Sequence, residues 1–166
     1  MPIQNKKVRN ATAIESSGIS FKSKLEKTCY DILKEKGFEP QYEPRTFILI
    51  EPFTPKTPFY DKETDSQRSR RMDANKGSNS RELVLNKTKV QSIKYTPDFY
   101  FKYNDTDVYI ECKGFENDCF YLKKKLFRRH LDKVLEVEGQ KSMYFEIYTK
   151  TQLIQAINII TQQDNE

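Results

Sequence analysis

The first stretch of helical periodicity in the chain lies at residues 23–36. Four apolar positions recur there at the spacing of one helix face: Leu25, Cys29, Ile32 and Leu33. Ser23 suits the N-cap of this helix, and Glu26 three residues later completes the sequence pattern of a capping box. Gly37 follows as a stop signal. We therefore predict an amphipathic helix that begins at Ser23 and ends before Gly37.

Two more helices are predicted in the last third of the chain. Residues 119–137 carry apolar side chains at a spacing that suits one core-facing side: Phe120, Phe127, Leu131, Val134 and Leu135. The opposite side carries five cations: Lys123, Lys124, Lys125, Arg128 and Arg129. A closing helix is predicted over residues 150–160, and residues 161–166 are expected to form a frayed tail.

Strands are predicted where apolar, β-branched and aromatic residues gather. These stretches are residues 47–50, 89–103, 108–113 and 142–148. In the third of them, alternation places Val108, Ile110 and Cys112 on one face, and Glu111 and Lys113 on the other. The order of helices and strands predicts an α/β fold in which helices pack on the faces of a mixed sheet.

Residues 54–92 interrupt these elements and hold most of the excess positive charge. The formal net charge is +5, and this segment has nine Lys and Arg against five Asp and Glu. It is rich in Pro, Ser, Asn and Thr and has no clear period in its first part. We predict a mobile basic insertion that binds the phosphates of a nucleic acid. A solvated loop without a partner is the alternative.

Length and composition narrow the class of protein. A chain of 166 residues allows one domain of ordinary size, which we place at residues 21–160, after a flexible basic segment at 1–20. The longest apolar runs are far too short to span a bilayer, and no secretory signal peptide is visible, so we expect a cytoplasmic protein that does not enter a membrane. One histidine and three cysteines without a CxxC pair leave oxygen atoms as the ligands for any catalytic metal.

The candidate chemistry lies in Pro97-Asp98 and in Glu111-Cys112-Lys113. Two carboxylates that converge from adjacent strands suit Mg²⁺ or Mn²⁺. A lysine beside them can orient a water molecule or stabilise charge on a phosphate. These residues predict metal-assisted hydrolysis of a phosphodiester bond. The alternative is that Glu111 and Lys113 form an ion pair on a solvated sheet face.

The sequence around these residues resembles the PD-(D/E)xK nuclease superfamily. The resemblance is carried, over roughly residues 21–148 without the insertion, by these pieces: Ser23-Lys-Leu-Glu26, Gly37-Phe38, Tyr42-Glu43, Tyr95-Thr-Pro97-Asp98-Phe99 and Ile110-Glu111-Cys-Lys113-Gly114. Within the superfamily the sequence is most similar to phage endonuclease I, a Holliday-junction resolvase, and to small phage endonucleases. The resemblance implies a restriction-endonuclease-like mixed β-sheet flanked by helices, with an αβββαβ core.

The resemblance also implies roles for individual residues. Asp98 and Glu111 would ligate the catalytic Mg²⁺ or Mn²⁺ together with the backbone carbonyl of Cys112, and Lys113 would act on the attacking water. Glu26 would complete a second metal site or bind the ion through water, and the alternative is that it only closes the capping box. A resolvase makes two symmetric cuts, so this form of the hypothesis requires a homodimer.

The leading hypothesis is therefore a divalent-metal-dependent DNA endonuclease, with resolution of branched DNA as its sharpest form. Nine cations are predicted to contact DNA phosphates: Arg68, Arg70, Arg71, Lys94, Lys123, Lys124, Lys125, Arg128 and Arg129. A restriction- or transposon-type endonuclease is one alternative. A nuclease-fold module that binds DNA without cutting it is the other.

Overall fold

The computed structural model describes residues 13–16, 18–74, 80–114 and 118–162. The chain divides into two compact units, Met1–Leu49 with Lys94–Glu166, and Ile50–Ile93. In chain order, the elements are β1 (Ile14–Ser16), β2 (Ile19–Phe21), α1 (Lys24–Glu35), β3 (Gln41–Tyr42), β4 (Phe47–Ile50), β5 (Tyr60–Lys62), α2 (Asp65–Asp73), β6 (Leu83–Leu85), β7 (Ile93–Tyr95), β8 (Phe99–Tyr103), β9 (Thr106–Cys112), α3 (Asp118–Glu138), β10 (Ser142–Ile147) and α4 (Lys150–Gln162). Among these described residues, no helix combines the length and apolar character that crossing a bilayer would need.

Both ends of the chain differ in part from the sequence prediction. Strands β1 and β2 form an antiparallel hairpin within the segment expected to be flexible, while residues 1–12 and 17 lie outside the described residues. Helix α4 continues to Gln162, so it takes in the first two residues of the expected tail. The remainder of that tail, residues 163–166, lies outside the described residues.

Helix α1 begins and ends where the sequence predicts. The N-cap is Ser23, whose side chain accepts a hydrogen bond from the backbone N–H of Glu26 at 3.2 Å. At the other end Gly37 has a φ of +84°, in the left-handed region that glycine adopts without strain. Phe38 N–H then donates to the carbonyl of Leu33 at 3.0 Å, which closes the last turn.

The main sheet has the strand order β10-β9-β8-β3. Strand β10 runs parallel to β9, and the other two pairs are antiparallel, so the sheet is mixed as predicted. The predicted strand at residues 47–50 exists but lies outside this sheet, because β4 pairs with β7. The edge strand that pairs with β8 is instead the two-residue strand β3, which is too short for sequence periodicity to reveal.

Strand β9 carries a different core on each of its faces. Val108, Ile110 and Cys112 are buried in the core that also contains the apolar faces of α1 and α4. Tyr109 lies in an aromatic cluster that includes Phe127 of α3. The predicted alternation along this strand is confirmed, and it directs Glu111 to the same face as Tyr109.

Helix α3 is longer than predicted, and only its first half is well covered. Phe120 and Phe127 are buried as expected, and Leu131 and Val134 are half-buried. The prediction that Leu135 faces the core is wrong, because its side chain is 49% exposed. The apolar spacing continues beyond the aromatic cluster that the helix packs against.

The second unit has regular structure where its sequence shows no period. Strands β5 and β6 form an antiparallel hairpin, and α2 begins at a capping box made by Thr64 and Gln67. Glu63 is 2% exposed and accepts hydrogen bonds from the guanidinium of Arg71. Helix α2 has no buried residue, which explains why hydrophobic periodicity does not reveal it. Residues 75–79 lie outside the described residues.

Candidate active site

A cleft of about 640 Å³ lies where β8 begins and β9 ends. All of its lining residues belong to the first unit. They are Lys22, Glu43, Thr46, Lys94, Tyr95, Thr96, Asp98, Glu111, Lys113, Cys119, Phe120 and Lys123. The cleft thus contains three of the four residues predicted to be catalytic.

Asp98 directly precedes β8 and lies beside the end of β9. The antiparallel register pairs Phe99 with Ile110, so Asp98 lies next to Glu111 and Cys112. The backbone N–H of Cys112 donates to Asp98 Oδ2 at 2.7 Å. Burial, followed by the charge of Glu111, raises the pKa of Asp98 to about 8. This carboxyl is therefore largely protonated near neutral pH unless a cation lies beside it.

Glu111 is 3% exposed and forms close contacts through both of its carboxylate oxygens. Lys113 Nζ lies 2.5 Å from Oε1, and the hydroxyl of Tyr95 donates to Oε2 at 2.6 Å. Burial raises the pKa of Glu111, although the charge and hydrogen bond of Lys113 oppose that rise. The alternative predicted an ion pair between Glu111 and Lys113 on a solvated sheet face. The ion pair is present, but the face is not solvated at this point, because Glu111 is buried.

Lys113 follows β9 directly, and both its backbone and its amine are held in place. Its N–H donates to the carbonyl of Ile147 in β10 at 2.8 Å. Its Nζ lies 4.3 Å from the ring centroid of Phe120, at the start of α3. The side chain is 26% exposed, so the amine touches Glu111 and still reaches the open cleft.

Glu26 is buried, and its carboxylate accepts three hydrogen bonds. The donors are the backbone N–H of Lys22 at 2.9 Å, the Ser23 hydroxyl at 2.8 Å and the Tyr42 hydroxyl at 2.6 Å. Glu26 is not among the described residues that line the cleft. Its negative charge nevertheless contributes to the raised pKa of Asp98, after burial and Glu111. The carboxylate of Glu26 therefore holds the segment that carries Lys22, and metal binding by Glu26 stays a prediction.

The structure brings into the cleft residues that the sequence did not assign to it, among them Glu43 and Lys22. Glu43 has a φ of 45°, which is uncommon for a residue other than glycine, and its N–H donates to the carbonyl of Asp98 at 2.8 Å. Its carboxylate forms an ion pair with Lys22. Tyr42-Glu43 already belongs to the pieces that carry the family resemblance, and this was the only signal that could have identified Glu43.

The predicted DNA contacts fall into distinct groups. Lys94 and Lys123 line the cleft. Lys124 pairs with Glu146 at 2.9 Å, and both side chains are mostly buried. Arg71 pairs with the buried Glu63. Lys124 and Arg71 thus each have an acidic partner within the fold, and a phosphate contact stays a prediction for both.

The other predicted cations are more accessible. Lys125 lies with its Nζ 4.1 Å from the ring centroid of Tyr121. Arg128 and Arg129 are exposed on α3, and Arg70 is exposed on α2 in the second unit, where Arg68 is half-buried. A phosphate contact stays a prediction for these five residues.

The acids of the cleft suit a hard divalent cation. No group of three His, Cys, Asp or Glu side chains within the described residues is arranged to hold a metal ion. Mg²⁺ commonly uses only one or two carboxylates and fills its remaining positions with water or phosphate oxygens. Asp98 and Glu111 supply two such carboxylates, and their mutual repulsion in a buried setting is what a cation would relieve. Ligation by the Cys112 carbonyl stays a prediction, and the Cys112 side chain belongs to the core.

Comparisons of the chain with protein-family models, with curated proteins and with solved structures found no match.

Proposed function

We propose that this protein is a divalent-metal-dependent DNA endonuclease that hydrolyses phosphodiester bonds. The observation that carries the proposal is the convergence of Asp98, Glu111 and Lys113 in one cleft, with both carboxylates buried and the amine in contact with one of them. Lys94 and Lys123 also line this cleft. Cations at these positions suit the phosphates of a nucleic acid.

The order of elements around the main sheet supports a restriction-endonuclease-like core. When the elements from β4 to β7 are left out, the order along the chain from α1 to β10 is α1, β3, β8, β9, α3 and β10. This is an αβββαβ order, with β10 added in parallel to β9. In the proposed fold, the acids of β8 and β9 act at the end of the sheet where the two strands meet.

The four residues predicted to be catalytic have distinct proposed roles. Bound Mg²⁺ or Mn²⁺ would supply Lewis-acid activation of the phosphate. Asp98 and Glu111 would hold the ion, and Lys113 would orient the attacking water and stabilise negative charge on the phosphate oxygens. Glu26 acts indirectly, through its charge and through its hydrogen bonds to Lys22 and Tyr42.

Branched DNA is the proposed substrate in the sharpest form of this function. One chain provides one such cleft, so two symmetric cuts across a junction require a homodimer. A monomeric protein that cuts linear duplexes equally well would be an endonuclease of another kind.

The test is cleavage of a four-way junction and of a linear duplex by the purified protein in Mg²⁺. We expect the parent to cut the junction preferentially, and Asp98→Ala and Lys113→Ala to lower the rate by about 100-fold or more while DNA binding is retained. Lys102→Ala is the matched control, because Lys102 is an exposed lysine of the same strand, β8, outside the cleft lining.

Each outcome of that experiment distinguishes one part of the proposal from another. Equal cutting of both substrates would remove the junction preference and leave the endonuclease. A parent that binds DNA but cuts nothing in Mg²⁺ or Mn²⁺ would be a DNA-binding module, and the enzymatic function would be wrong.

A further inference from the structure

Two tyrosine hydroxyls form a chain of hydrogen bonds that ends on Glu111. The Tyr95 hydroxyl donates to Glu111 Oε2 at 2.6 Å, and the hydroxyls of Tyr95 and Tyr144 lie 2.9 Å apart. A hydroxyl has one proton to donate. Since the proton of Tyr95 is directed to Glu111, Tyr144 must be the donor to Tyr95. The chain therefore has one direction, from Tyr144 through Tyr95 to the carboxylate.

Aromatic packing fixes the position of the Tyr95 hydroxyl. Tyr95 is 5% exposed, and its ring centroid lies 4.8 Å from that of Phe127, which is fully buried. The rings of Phe120 and Tyr144 also lie near the Tyr95 ring, at centroid distances of 6.4 and 6.5 Å. A donor held by packing on several sides fixes the orientation of the group that it contacts.

The two oxygens of Glu111 have different partners, and this is why the Tyr95 contact matters. Oε1 lies against the Lys113 amine, a flexible and partly exposed cation. Oε2 lies against the rigid hydroxyl of Tyr95. Without that donor, Lys113 alone would determine how the carboxylate turns.

We propose that Tyr95 is a positioning residue, supported by Tyr144, that sets the orientation in which Glu111 meets a divalent cation. This inference rests on the proposed function, because it concerns the same carboxylate. It extends that function to two residues that do not themselves ligate the ion. Hydrogen-bond partners of metal ligands typically contribute 10–100-fold to metal affinity.

The test is the affinity for Mn²⁺ in the absence of DNA, measured by electron paramagnetic resonance of the free ion. We expect Tyr95→Phe, which keeps the ring and removes the hydroxyl, to weaken Mn²⁺ binding by about 10-fold or more. Tyr144→Phe should weaken it less, because Tyr95 would keep its bond to Glu111. The matched control is Tyr109→Phe, a buried tyrosine of the same cluster whose ring packs on Phe47 and Tyr100.

A double substitution separates positioning from general packing. If Tyr95 acts through Glu111, Tyr95→Phe should add little further loss of affinity to Glu111→Gln. The melting temperature of each variant in EDTA checks that it is folded. In the parent and in Tyr95→Phe, cleavage at increasing Mn²⁺ provides a second readout, because excess metal should restore most of the rate of a protein whose only defect is metal affinity.

The outcomes separate this inference from the proposed function. If the parent binds Mn²⁺ and Tyr95→Phe binds it equally well, the positioning role is wrong and the endonuclease stands. The same holds if Tyr109→Phe loses as much affinity as Tyr95→Phe. If the parent binds no Mn²⁺, the metal-dependent function is wrong, and this inference is wrong with it.

Discussion

At the scale of single residues, Asp98 is an acid whose ionisation opposes folding in the absence of a cation. Burial and the nearby charge of Glu111 raise its pKa to about 8, from an ordinary value of 3.8. Between these two values the folded protein binds a proton that the unfolded chain releases. The contribution of Asp98 to stability is therefore full below about pH 4 and is lost as the pH rises towards 8.

We predict that Asp98→Asn stabilises the metal-free protein at pH 8, by about 1–2 kcal/mol in the free energy of unfolding. Asparagine keeps an acceptor for the N–H of Cys112 and cannot ionise. The advantage of the variant should shrink as the pH falls from 8 to 5, in urea melts recorded in EDTA. Added Mg²⁺ should also narrow it, because a cation favours the carboxylate of the parent. Parallel stability curves for the two proteins across this pH range would contradict the prediction.

At the scale of elements, α3 presents neighbouring lysines in unlike surroundings. Lys123 lines the cleft, whereas Lys124 pairs with Glu146 of β10. Glu146 also accepts a hydrogen bond from the Tyr148 hydroxyl at 3.1 Å. Consecutive residues of a helix point about 100° apart, so one can face a ligand while the next packs on the sheet.

We predict that Lys123→Ala impairs DNA binding, whereas Lys124→Ala lowers the stability of the fold. Lys123→Ala should weaken DNA binding and reduce the slope of log K against log salt by about one, as expected for one lost phosphate contact. Lys124→Ala should leave that slope unchanged and lower stability by about 1–2 kcal/mol, because the mostly buried Glu146 loses its cation. Fluorescence anisotropy at several salt concentrations and thermal melts measure the two effects. Equal changes in slope would show that both lysines contact phosphate.

The sequence predicts elements with strong periodicity and fails where other forces determine the structure. Helix α1 and strand β9 place their apolar side chains at regular intervals in a large core, and both follow from the pattern. Helix α2 has no buried residue, and it begins at a capping box and bears the ion pair of Arg71 with Glu63. Short strands such as β3 are formed by pairing with a distant strand, which local sequence does not encode.

The same division applies to the site. Asp98, Glu111 and Lys113 could be predicted because alternation along β9 and the position of its neighbouring strand bring them together. Tyr95 and Glu43 could not be assigned, because their roles depend on contacts formed only in the folded chain. Glu26 shows the converse: its position on α1 was predicted, but its hydrogen bonds to Lys22 and Tyr42 were not.

At the scale of the whole molecule, most of the excess positive charge and the candidate active-site cleft belong to different parts of the chain. The cleft lining lies in the first unit. Residues 54–89 contain nine Lys and Arg against five Asp and Glu, and so hold four of the five net positive charges. If this segment binds DNA, it supplies affinity that does not depend on sequence, while the cleft supplies the chemistry.

A deletion can separate the DNA affinity of residues 54–89 from the metal binding of the cleft. Phe53 and Val90 form an antiparallel bridge, with N–H to carbonyl distances of 3.1 Å and 2.8 Å in the two directions. Residues 54–89 therefore begin and end at neighbouring positions, and a two-residue Asn-Gly turn of type I′ can replace them.

We predict that this deletion leaves Mn²⁺ affinity within about twofold of the parent, because Asp98 and Glu111 and their partners are all retained. DNA affinity should fall and become less sensitive to salt, as measured by anisotropy. Loss of Mn²⁺ binding in a deletion variant that still melts cooperatively would mean that the second unit is part of the active site, and unchanged DNA affinity would mean that its positive charge has no role in binding.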